Sequence, residues 1–244
     1  FAYRGIYIPL LCSYRGGSKG LSPTYEQAHV SLGLLTLASY NKIINFQKKN
    51  QGISAGGKVL TEGRIREELE ERIRDLPIVE YQWMDVHSMD FSQKVRHICQ
   101  SECPRYGKSW SCPPGVGSVE ECRERCMQFQ ELFIFSTVAE VSDIENMDEV
   151  LESRKEHEKM IREIRRMFQP YFEEILALSG DSCCICDTCT YPDAPCRHPE
   201  AMLPCIEGYG ILVPLLAEKA EIAFMNEGNV VTWFGVLLLK KKEA

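Results

Sequence analysis

The sequence predicts an α+β or α/β fold, a small sheet packed with helices and interrupted by two cysteine-rich loops. Three observations carry that prediction. Apolar, β-branched or aromatic runs alternate along the chain with stretches whose apolar residues recur at helical spacing. Ten of the twelve cysteines bunch into Cys99–Cys126 and Cys183–Cys196, among prolines and glycines. With 244 residues, 44% of them hydrophobic, the chain can bury a core without covalent crosslinks.

Residues 1–60 differ from the rest. They are rich in Ser and Gly and show no sustained period, although a short helix over Tyr25–Tyr40 is conceivable. They are expected to form a flexible or foreign N-terminal extension, with residues 61–244 as a single cysteine-rich domain. The first helix is expected from Thr61 through Arg64–Leu76, where Ile65, Leu69, Ile73 and Leu76 form one apolar stripe and Pro77 ends it. Ile78–Val86 reads as a strand, Phe91–Ile98 as a short helix ending at the first ligand cysteine, and Glu120–Gln130 as a charged helix. Leu132–Val141 is the most strand-like segment. Asp148–Leu178 reads as one long amphipathic helix, bent at Pro170, with Ile161, Ile164, Phe168, Tyr171, Phe172 and Ile175 as its stripe. A short helix near Glu200, an apolar stretch Ile211–Ala217 and a final strand Val230–Leu239 follow, and Lys240–Lys242 is expected to be merely solvated.

Charge narrows the possible partners. The chain carries 28 Lys and Arg against 35 Asp and Glu, net −7. Seven of the basic residues but only one acid, Glu26, fall in residues 1–60, so the body is strongly acidic. No nucleic-acid partner is expected of such a surface. No apolar run approaches the roughly 18 residues needed to cross a bilayer, and no secretory leader is legible, so no membrane partner and a cytoplasmic location are expected. In that compartment bunched cysteines favour metal over disulfides.

The stronger constellation is Cys183, Cys186, Cys189 and Cys196, with two, two and six intervening residues. Pairs of intervening residues let a tight turn aim successive sulfurs at one centre. A triplet followed by a more distant fourth is close to a ferredoxin arrangement and favours a [4Fe–4S] cluster, whereas zinc ribbons present two separated pairs. Zinc stays open as the alternative. Cys184 competes with Cys183, and Arg197 and His198 are candidates to tune a cluster or simply a basic surface pair.

The second constellation is Cys99, Cys103 and Cys112, three thiolates that supply most of a second metal site. Its fourth ligand is open among Cys122, Cys126, His97 and a cysteine from the C-terminal group. Cys122 and Cys126 share one helix face and are read first as core, and Cys205 is given the same standing. Cys12 and His29, His87 and His157 have no ligand neighbours in the sequence. No phosphate loop, nucleophile elbow or paired-histidine zinc helix is present, so no catalytic residue is singled out.

At Val95–Cys99, Cys103–Gly107, Trp110–Gly117 and Cys183–Ile211 the sequence resembles a prokaryotic family of predicted metal-binding proteins, domain of unknown function 2284. The resemblance spans about Arg64 to Leu239 and implies metal binding without implying a reaction. Cys205 stands where that family is expected to carry a small polar residue. The leading expectation is an iron–sulfur protein with one or two [4Fe–4S] clusters, serving electron transfer or assisting a redox partner protein. The rivals are a zinc-stabilised interaction module and an enzyme with an open iron corner at Cys99–Cys112.

Overall fold

The computed structural model of the protein describes residues 61–226 and 228–242. The expected extension, the Tyr25–Tyr40 helix, Cys12 and His29 lie outside the described residues. Within them the elements run α1 (Glu62–Ile73), β1 (Glu80–Asp85), α2 (Gln93–Glu102), α3 (Val119–Cys126), β2 (Glu131–Glu140), α4 (Met147–Phe168), β3 (Phe172–Ser179), α5 (Val213–Lys219) and β4 (Val230–Lys241). The four strands form one sheet in the order β1-β2-β4-β3, and every pairing is antiparallel. The fold is therefore α+β.

The sheet is buried on both faces, and the period of two along each strand sorts its side chains. Phe133, Phe135, Leu237 and Leu239 point to one face, where they pack with Leu69 and Ile73 of α1 and Ile161, Ile164 and Phe168 of α4. Leu132, Ile134, Val236 and Leu238 point to the other, where Cys122 and Cys126 of α3 and Val213, Leu216 and Ala217 of α5 cover them. The second face also takes Ile206, Tyr209 and Ile211 from the segment after the last cysteine loop. Gly235 lets the two central strands approach: a Cβ there would meet the Phe135 ring at 2.5 Å.

Several sequence expectations shift. The helix expected to run to Leu178 stops at Phe168, and Phe172–Ser179 is strand β3, paired with β4 from Phe172 opposite Lys241 to Ser179 opposite Gly235. Pro170 lacks an N–H and terminates the helix instead of bending it. Beyond it, Phe172 and Ile175 keep a spacing that fits a helix, but the open edge of β4 captures their backbone. The helix expected over Phe91–Ile98 starts later and ends later, capped by Ser92, so Cys99 lies within it and Cys103 caps its C-terminus. The helix expected to reach Gln130 ends at Cys126, and Ser118 with Glu121 closes a capping box at its start. Around Glu200 there is a turn, not a helix. The terminal lysines are engaged: Lys240 pairs with Glu173 at 2.7 Å, Lys241 with Glu131 at 3.2 Å, and Lys242 donates to the Pro170 carbonyl at 2.6 Å.

Candidate metal centre

The first cysteine loop begins where β3 ends. Asp181, in the left-handed region at φ 62°, turns the chain and forms a buried ion pair with Arg154 of α4. That anchor fixes the start of the Cys183–Cys196 loop against the long helix. The loop is then tied internally: Ala194 N–H donates to the Thr190 carbonyl at 3.0 Å, the Thr190 hydroxyl to Pro195 at 2.8 Å, and the Arg197 guanidinium to Thr188 at 2.9 Å. It is also clasped by the other cysteine loop. The Trp110 indole donates to the Ala194 carbonyl at 3.0 Å and meets the Tyr191 ring edge-on at 4.8 Å.

These ties fold the loop around a small pocket of about 20 Å³ lined by Cys183, Cys186, Cys189 and Cys196, with Ser109, Trp110, Ile185, His198 and Met202. All four cysteines of the stronger constellation thus line one cavity, and each is half-buried. Cys184 does not line it. That side chain contacts Arg154 and Glu158 of α4, and burial together with the Glu158 charge pushes its thiol up to about 11.

Backbone amides are aimed at the sulfurs by a repeated local turn. The N–H two residues onward reaches the sulfur at Cys183 (from Ile185), Cys189 (from Tyr191) and Cys196 (from His198, at 3.4 Å). Such donors stabilise a thiolate. At Cys183 burial still prevails and the thiol is raised. At Cys189 burial is outweighed by the Tyr191, Trp110 and Thr190 backbone and the Ser109 hydroxyl, so the thiol lies below its ordinary value.

Of the second constellation, Cys99 and Cys103 are half-buried and Cys112 is buried. Cys103 N–H donates to the Cys99 carbonyl at 3.3 Å, which sets the two on successive turns of one helix end. Cys112 is 4% exposed and its sulfur lies 3.8 Å from the Ser111 hydroxyl. Cys205 joins them, although it was set aside in the sequence. Its sulfur hydrogen-bonds with Cys112 and lies in electrostatic reach of Cys99. The Cys112 hydrogen bond and burial push the Cys205 thiol well above its ordinary value, while burial and the neighbouring Cys205 and Cys103 sulfurs push Cys99 up to about 12. The Arg96 guanidinium offsets part of that charge.

Two serines separate the two groups. The Ser111 hydroxyl receives the Cys183 N–H at 2.8 Å and stands 2.8 Å from the Ser109 hydroxyl, which itself bonds the Cys189 sulfur. The Ser111 carbonyl takes the Cys205 N–H at 2.8 Å. Sequence reasoning passed over Ser109, Ser111, Cys205 and Glu207; the Ser-Trp-Ser-Cys string around Trp110 was the available signal for the serines. The other candidates lie elsewhere. Cys122 donates to the Val116 carbonyl at 3.4 Å, Cys126 is fully buried in the core, and His97 is exposed. Among the described residues no three His, Cys, Asp or Glu side chains are posed to grip one ion together.

A family model described as "Predicted metal-binding protein (DUF2284)" matches residues 82–239, which takes in β1 to β4 and both cysteine groups. The chain belongs to this family. The family's description gives metal binding and leaves both the metal and its ligands open. No curated protein and no solved structure matches the chain. No helix among the described residues is long and apolar enough to cross a membrane.

Proposed function

We propose that this member of the metal-binding family is a cytoplasmic iron–sulfur protein that transfers electrons, alone or as the redox accessory of a partner protein. One observation carries the reading: Cys183, Cys186, Cys189 and Cys196 border a common pocket with amide N–H groups directed at three of the four sulfurs. The donor set fits the group. Zinc held by four thiolates needs sulfurs about 3.8 Å apart, as its bond length of about 2.3 Å and tetrahedral angle require. A cubane asks its thiolates to surround a volume instead. Four cysteines that line one pocket, spaced as a triplet and a more distant fourth, suit the second demand. Bound there, a [4Fe–4S] cluster would accept and release one electron. The chain's own part would be to hold the cluster through the four thiolates, to stabilise the reduced form through the amide donors, and to shield one side with Trp110, Ile185 and Met202. The half-buried thiols lie near enough to the surface for a redox partner to exchange electrons with the site.

Anaerobic purification of the full chain, with iron, acid-labile sulfide and zinc measured beside the visible spectrum, tests this reading. The expected result is a brown protein with matched iron and sulfide and a band near 400 nm that bleaches with dithionite. A colourless protein holding zinc without sulfide overturns it and establishes the zinc-stabilised module.

A further inference from the structure

We infer that Cys205 supplies the fourth thiolate of a second centre for a thiophilic metal, completed by Cys99, Cys103 and Cys112 and walled by Glu207. The inference deepens the iron–sulfur reading above and rests on it for the choice of metal. Three independent contacts bring the group together. Cys99 and Cys205 reach the same residue from two sides, the first with its sulfur 3.9 Å from the Glu207 carbonyl, the second 3.1 Å from Glu207 Oε2. Cys205 also contacts Cys112, and Cys103 follows Cys99 on the same helix end. The Cys205 backbone is pinned to the Cys112 loop by its N–H bond to the Ser111 carbonyl at 2.8 Å.

The decisive feature is Glu207. It is 5% exposed, and its Oε1 is buried without a hydrogen-bond partner. A carboxyl oxygen left unpaired in the interior costs on the order of 1–3 kcal/mol and calls for an explanation. The positive charge of a metal ion within reach of that oxygen would supply one. The local frame is built for sulfur as well. Gly208 N–H donates to Cys205 Sγ at 3.4 Å, repeating the amide-to-sulfur arrangement of the outer pocket. Arg96 donates to the Gly117 carbonyl at 2.6 Å and also binds the Gly208 carbonyl, so a fixed cation stands beside buried thiolates that would otherwise be expensive to charge. Soft thiolates in a dry setting select iron–sulfur clusters or zinc over hard cations. A fourth thiolate also removes the open iron corner that three cysteines alone would leave.

The test compares Cys205→Ser, Cys122→Ser and Cys189→Ala in the full chain, each purified anaerobically and assayed for iron, sulfide and zinc. The native chain should hold two centres. Cys205→Ser should lose about half the iron and sulfide, or one zinc if the inner site takes zinc, and should keep the centre that Cys189→Ala abolishes. Cys122→Ser should lose nothing. Full metal retention in Cys205→Ser overturns the inference while leaving the outer centre intact, as does a native chain holding one centre that depends on Cys189 alone. A native chain with no metal overturns both this and the proposed function. Should Cys205→Ser fail to fold, Glu207→Gln decides: it should keep the metal and change the electron paramagnetic resonance signal of one of two reduced centres, and an unaltered spectrum contradicts the assignment.

Discussion

At Cys189 burial and hydrogen bonding pull the thiol in opposite directions, and hydrogen bonding wins, so its thiolate forms more readily than that of a free cysteine. Cys126 is the opposite case: burial and the neighbouring Cys122 push it up to about 12, and it stays a small apolar core residue. The same physics governs His157, 3% exposed on α4 with the Thr137 hydroxyl 2.7 Å from Nδ1. Burial lowers this imidazole to about 4, only partly opposed by the Phe234 backbone. The folded value lies below the unfolded one of about 6.5, so the neutral ring favours the fold above that pH, and the benefit is lost as pH falls from about 6.5 to 4. The loss should reach about 3 kcal/mol. Urea midpoints at pH 7 and pH 4.5 should differ less for His157→Gln than for the native chain, and equal differences would refute the assignment. The chemical type of each cysteine was legible in the sequence. Which way its sulfur faced was not, because Cys183 and Cys184 are adjacent and only the position of Arg154 and Glu158 separates their roles.

At the scale of elements, the local pattern identified β1, β2, β4 and the starts of α1 and α4, but it gave only an apolar stretch at Ile211–Ala217, where α5 forms. It failed at β3, where Phe172 and Ile175, three apart, fit the helical period, and they share one face of the sheet because the register shifts between Phe172 and Glu174. A local pattern cannot report a partner that lies elsewhere in the chain. The link between α4 and the first cysteine loop has the same non-local origin. Arg154 and Asp181 are 5% and 8% exposed, and removing one member of such a pair strands the other's charge. Asp181→Asn keeps the shape and tolerates the left-handed backbone, so its effect isolates the charge. It should lower unfolding free energy by about 3 kcal/mol and loosen the Cys183–Cys196 loop, seen as faster amide exchange at Cys183 and Ile185. Unchanged stability and exchange would show that the pair does not anchor the loop.

Across the whole molecule, a short serine-bearing segment joins the two cysteine groups: the four outer cysteines are half-buried, while in the other group Cys99 and Cys103 are half-buried and Cys112 and Cys205 are buried. Sequence spacing delivered the outer set complete, since its four residues fall within one loop. The fourth partner of Cys99, Cys103 and Cys112 stayed open in the sequence, because Cys205 lies far along the chain and only folding of Ser111 against it brings the two segments together. The outer pocket as a metal centre is the claim on which the functional reading rests. Iron and sulfide per chain, measured for the native protein and for Cys189→Ala purified anaerobically in parallel, address it most directly. The account predicts that the variant loses about four iron and four sulfide atoms and the corresponding part of the 400 nm band. Full retention of metal in Cys189→Ala would contradict it.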